Sequence, residues 1–147
     1  MKEVTIYGDG ACLGNPGIGG WAALLIYMDE KGKRYERMVS GGEANTTNNR
    51  MELTAFIGGL RALRDYCNVA IYSDSQLTVN CANGEWGASK NLDLWKDYFE
   101  LANQQAQVTA YWVKGHAGQP ENERVHDESM RQAYLTKARE LDIKELG

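Results

Sequence analysis

A chain of 147 residues, 43% apolar and 24% charged, has the size and composition of one globular domain, 1–147, whose core needs no disulfide staple. Its net charge of −4 argues against a non-specific nucleic-acid or membrane-surface binder, so an anionic partner must be met by a local patch, hydrogen bonds or metal ions. No apolar run approaches the ~18 residues of a membrane span, the N-terminus shows no signal-peptide pattern, and three cysteines without metal spacing (Cys12, Cys67, Cys81) suit a reduced, cytoplasmic, monomeric protein.

Residues 4–9 alternate, with Val4, Ile6 and Gly8 on one face and Thr5, Tyr7 and Asp9 on the other, which predicts a strand. Residues 9–20 are rich in glycine and predict a turn. Residues 21–28 are apolar and strand-like, Lys31-Gly32-Lys33 marks a hairpin, and residues 35–40 form a third, more exposed strand. A helix over 48–66 is capped by Thr46 or Thr47 and carries Met51, Ala55, Leu60 and Leu63 at helical spacing. Gly58 and Gly59 each cost it about 1 kcal/mol, which close packing on the sheet would explain. There follow a strand over 69–74, a short helix over 76–81, a helix over 91–104, a strand over 107–114 and a last helix over 121–141. The order β-β-β-α-β-α-α-β-α predicts an α/β fold: a mixed five-stranded sheet, an antiparallel meander plus parallel strands, with helices on both faces.

Two strands end alike, in Ile6-Tyr7-Gly8-Asp9 and Ile71-Tyr72-Ser73-Asp74. One strand-terminal Asp commonly just starts a turn. Two in matched phase, on parallel neighbours, put their carboxylates side by side at the C-terminal edge, where open α/β sheets bind ligands. Glu52 lies in line with Phe56, Gly59 and Leu63 on the core-facing stripe of its helix, with no Lys or Arg on that stripe. A buried carboxylate needs a partner, and a cation held between strands and helix would be one. Clustered carboxylates repel unless cations neutralise them. Oxygen-only ligands favour Mg2+ or Mn2+, and two such ions can activate a water and stabilise the leaving oxygen of a phosphodiester.

These residues lie in motifs that resemble the type 1 ribonucleases H. The motifs are Tyr7 to Gly17, Thr46-Thr47-Asn48-Asn49-Arg50-Met51-Glu52-Leu53, Tyr72-Ser73-Asp74-Ser75-Gln76, Asn91 to Trp95, and Trp112-Val113-Lys114-Gly115-His116-Ala117-Gly118 running on through Glu121-Asn122-Glu123-Arg124. The resemblance implies a ribonuclease H-like fold and endonucleolytic, two-metal hydrolysis of the RNA strand of RNA–DNA hybrids, leaving 5′-phosphate and 3′-hydroxyl ends. It implies two Mg2+ ions, with Mn2+ as substitute, held by Asp9, Glu52 and Asp74, and His116 as a loop histidine that aids proton transfer or product release. Asn15, Asn48, Asn49 and Gln76 match positions that reach the hybrid's minor groove, where amides can bond 2′-hydroxyls and base edges. Thr47 and Asn91 match a pocket for a DNA-strand phosphate.

The fourth carboxylate of the pattern is displaced. Aligned without a gap, His126 stands in its place; with one inserted residue, Asp127 does. Asp127 is in helical line with Met130, Tyr134, Ala138 and Leu141, whereas His126 is in line with Met130, Ala133 and Lys137, so the register favours Asp127 as the fourth catalytic and metal-binding acid. A basic hybrid-gripping insertion is also missing: only Lys90 and Lys96 carry positive charge between Ser75 and Tyr111. Trp86 in that segment could pack on a sugar or simply join the core. Two other readings follow from these departures: a hybrid-binding module with weak catalysis, and a metal-dependent nuclease of another specificity.

Overall fold

Alternating apolar residues build the sheet in the computed structural model, which describes residues 1–146. The strands β1 (Lys2–Leu13), β2 (Gly17–Met28) and β3 (Arg34–Thr46) form an antiparallel meander. Then come α1 (Asn48–Arg61), β4 (Cys67–Ser73), α2 (Gln76–Ala82), α3 (Leu92–Ala102), β5 (Gln107–Trp112) and α4 (Pro120–Leu146). The five strands lie in the order β3-β2-β1-β4-β5, with β4 parallel to both β1 and β5. This is the expected mixed sheet.

The alternation along β2 divides the core. Ala23 and Leu25 pack with Val4, Ile6, Leu53, Phe56 and Ile71 beneath α1. Ala22, Leu24 and Ile26 face the other way and pack with Val125 of α4. The two helices therefore cover opposite faces, and residues from both can converge only at the sheet's end.

The glycine-rich stretch is not the long turn that its composition predicts. Only Gly14, Asn15 and Pro16 connect β1 to β2. Gly10, Gly19 and Gly20 are paired strand residues, and their missing side chains make room for helices. A Cβ at Gly10 would collide with the backbone of Met51 and Glu52 in α1, and one at Gly20 with the Ser129 carbonyl and Ala133 amide of α4. Gly58 and Gly59 serve the same purpose from the helix side, against Trp21 and Ile6. Two helix ends differ from expectation by five residues each. The first helix stops at Arg61, and the last continues to Leu146, past the sheet, where nothing buries it.

Close approach at Gly20 makes a direct test. Gly20→Ala should lower stability by about 1–3 kcal/mol, the usual cost of overpacking. Gly87→Ala, where an added Cβ meets nothing within 4 Å, should stay within about 0.5 kcal/mol of the parent. Urea melts of the two variants give the comparison, and equal midpoints would refute the packing role.

Candidate active site

Parallel pairing of β1 with β4 sets Tyr7 opposite Tyr72 and so brings Asp9 and Asp74 side by side, two residues past the last paired positions. Stacked rings reinforce that register, with Tyr7 to Tyr72 at 5.1 Å and Tyr72 to Tyr111 at 5.2 Å between centroids. Glu52 comes from the opposite face. Gly10 lets the first turns of α1 lie directly on β1, and the Glu52 carboxyl reaches round the end of β4, accepting from Ser73 Oγ at 3.4 Å. Ligand oxygens of Asp9, Glu52 and Asp74 all lie within 4.8 Å of one another. Asp9 and Glu52 are buried and Asp74 is half-buried.

Burial pushes the Glu52 carboxyl well above the usual carboxylate range, and the charge of Asp9 pushes it further. Asp74 is raised in the same way, by desolvation first and by Asp9 second. No Lys or Arg makes an ion pair with any of the three among the described residues. A set of three carboxylates this compact, without a Lys or Arg partner, fits a hard divalent ion such as Mg2+.

At the fourth position the structure sets the two candidates, Asp127 and His126, on different sides of α4. The inward stripe of α4 is Asn122, Val125, Ser129, Ala133 and Thr136. At about 100° per residue, Asp127 leaves the helix on the opposite side from that stripe, and it is exposed. Its apparent partners Tyr134 and Leu141 are exposed as well, so the register that favours Asp127 is a solvent-facing one. His126 lies on the flank of the stripe beside β1, with Nδ1 3.0 Å from Asp9 Oδ2. The rotation of α4 is fixed from β3. Glu36 pairs with Arg124 at 2.9 Å, Arg34 with Glu121 at 3.1 Å, and Ser40 Oγ donates to Glu128 at 2.7 Å.

His116 sits on the loop between β5 and α4, exposed, in a left-handed backbone conformation uncommon outside glycine (φ 55°). Its ring meets that of His126 edge-on, 4.7 Å between centroids. Two contacts hold the loop to the site: Gly115 lies so close that a Cβ would come within 2.7 Å of Asp74 Oδ2, and Trp112 Nε1 donates to the Asp74 carbonyl at 3.0 Å.

The remaining candidates rim the same end of the sheet. Thr47 caps α1, accepting from the Arg50 amide at 3.2 Å. Asn15 Oδ1 accepts from the Asn48 amide at 3.1 Å, tying the β1–β2 turn to α1, while Asn48, Asn49 and Gln76 are exposed. Asn91 precedes α3 at φ 57° and accepts from Arg50 Nη1 at 3.2 Å. Arg50 also forks onto Asp93, at 3.1 and 2.8 Å, and holds that carboxyl down at about 2. Sequence reasoning passed over Arg50, Ser73 and Gly115; a buried serine at a strand end and a glycine in a loop carry no signal until their neighbours are known. Trp86 is exposed, not core.

The sequence matches the RNase H family model over residues 1–134. It is 46% identical to the ribonuclease H of Campylobacter jejuni, across 98% of this chain and 99% of that protein. The chain belongs to the RNase H family. Among solved structures of that family, it resembles LC9-RNase H1, described as a type 1 RNase H with the type 2 active-site motif. The TM-score is 0.78 at 32% identity, over 90% of this chain and 72% of that one. The fold of LC11-RNase H1, solved in complex with an RNA/DNA hybrid, is also similar, with a TM-score of 0.73 at 22% identity over 90% and 98% of the two chains. Membership of the RNase H family makes the chain a hydrolase of the nuclease class, and the compact carboxylates fit the metal dependence of that family. No helix among the described residues is long and apolar enough to cross a membrane.

The raised Glu52 pKa makes a stability prediction. Its folded value exceeds its unfolded value near 4.3, so the metal-free protein is favoured below that pH and loses stability as pH rises toward the folded value. In EDTA at pH 7, Glu52→Gln should therefore melt at a higher temperature than the parent, and the gap should close by about pH 4. A parent equal to the variant at pH 7 would contradict the repulsion.

Proposed function

We propose that this chain cuts the RNA strand of RNA–DNA hybrids internally, leaving 5′-phosphate and 3′-hydroxyl ends, with two Mg2+ ions or Mn2+ in their place. The observation that carries the reading is the convergence of Asp9, Glu52 and Asp74 within 4.8 Å at the C-terminal edge of the sheet. Their oxygens would hold the ions. When bound, such ions supply an activated water and offset charge at the leaving oxygen. Asp9 and Asp74 would hold those ions from the strand side, and Glu52, buried against Ser73, from the helix side. His116, on a loop pinned against Asp74, can hand a proton to the departing oxygen.

The exposed amides of Asn15, Asn48, Asn49 and Gln76 suit ribose hydroxyls and base edges of a minor groove, a contact that distinguishes RNA from DNA without reading sequence. Thr47, Asn91 and the Arg50 guanidinium suit a DNA-strand phosphate, with Asp93 keeping Arg50 in place. LC11-RNase H1 was solved with a hybrid, which makes a hybrid the first substrate to try. The single sheet with both helical layers reads as one domain acting as a monomer. The three free cysteines suit the cytoplasm.

The test is an end-labelled hybrid alongside duplex RNA and duplex DNA, with Mg2+. Only the RNA of the hybrid should be cut. Asp9→Asn and Asp74→Asn should each retain less than about 1% of the rate while folding normally. Asp127→Ala, on the solvent side of α4, should stay within about twofold of the parent. Activity above about 10% in either Asn variant, or equal cutting of duplex RNA, would overturn the proposal.

A further inference from the structure

His126 is the polar group at the site that an oxygen-only centre leaves without a task. Its Nδ1 stands 3.0 Å from Asp9 Oδ2, its side chain is 33% exposed, and that of Asp9 is 4% exposed. The imidazole thus forms the wall between Asp9 and solvent on the α4 side. We infer that His126 gives a nitrogen donor to a cation shared with Asp9, so that this position is a mixed nitrogen–oxygen site favouring a transition-metal dication such as Mn2+ over Mg2+. The inference rests on the reading that the carboxylates hold divalent cations.

Geometry and chemistry both support it. Two adjacent ligands of an octahedral ion with bonds of about 2.1 Å stand about 3.0 Å apart, so the His126–Asp9 separation suits one ion as well as it suits a hydrogen bond. With its hydrogen on Nε2, the neutral ring turns the Nδ1 lone pair toward the gap beside Asp9. The ring is held for that task. The ion pair of Arg124 with Glu36 and the Ser40–Glu128 hydrogen bond fix the rotation of α4, and the His116 ring packs edge-on at 85° against the imidazole. A carboxylate at this position would complete an oxygen set suited to Mg2+. An imidazole there shifts preference toward borderline ions, because Mg2+ keeps to oxygen and gives up its waters reluctantly. Asp127 cannot restore the oxygen set from the far side of the helix.

The test uses the full chain, stripped with EDTA and reloaded with Mn2+ in the absence of nucleic acid, and reads electron spin-echo modulation from directly bound 14N. Modulation is expected in the parent and in His116→Ala, and should vanish in His126→Asp and His126→Gln. In a Mg2+ competition followed by the signal of released Mn2+, His126→Asp should surrender Mn2+ at a Mg2+ concentration about tenfold lower than the parent. Mn2+ bound by the parent without nitrogen modulation overturns the inference and leaves the carboxylate centre standing. Modulation that survives in His126→Asp overturns it too, by assigning the nitrogen elsewhere. No Mn2+ bound at millimolar concentration, in the parent as in Asp9→Asn, sinks the cation reading and the inference with it.

Discussion

Three carboxylates with ligand oxygens within 4.8 Å of one another, two of them buried, are the constraint around which this end of the molecule is built. Each pair of charges at that separation repels by roughly 3–4 kcal/mol at an effective dielectric of ~20. Burial raises the cost by removing water from Glu52. A fold tolerates such a cluster when the rest of the structure over-determines it. Here the core beneath α1 and the core beneath α4 hold the two sides independently.

The scaffold meets that demand by bringing backbones unusually close. Gly10 allows α1 to settle on β1 so that Glu52 reaches the strand ends, and Gly20 with Gly42 does the same for α4 on the other face. The stacked tyrosines of β1, β4 and β5 lock the parallel register two residues below Asp9 and Asp74. The rim follows from the same placement: the start of α1, the β1–β2 turn and the start of α3 meet through Asn15, Asn48, Arg50 and Asn91.

Much of this was legible in the chain. The rhyme of Ile6-Tyr7-Gly8-Asp9 with Ile71-Tyr72-Ser73-Asp74 is a strand signal of period two, and parallel pairing preserves it, so it predicted the carboxylate pair directly. Glu52 was visible as a charge on an apolar stripe. Two things were misread, for related reasons. Glycine in a strand and glycine in a turn look alike until a partner helix is present, so β1 and β2 were expected to be shorter than they are. The buried stripe of α4 is mostly small or polar, Asn122, Ser129, Ala133 and Thr136, because the helix lies against glycines; the large apolar residues in line with Asp127, Tyr134 and Leu141, face solvent. Hydropathy therefore points to the solvent side of that helix, where Asp127 lies, and not to the flank that sets His126 beside Asp9.

If the crowded carboxylates are relieved by divalent cations, ligand binding must stabilise the folded chain through them. The decisive measurement is calorimetric melting at pH 7 with increasing Mg2+, on the parent and on the Asp9→Asn, Asp74→Asn double variant. The account predicts a melting temperature that climbs with Mg2+ in the parent and stays flat in the double variant, which should already melt higher than the parent in EDTA. A parent whose melting temperature ignores Mg2+, or a double variant that climbs equally, would contradict it.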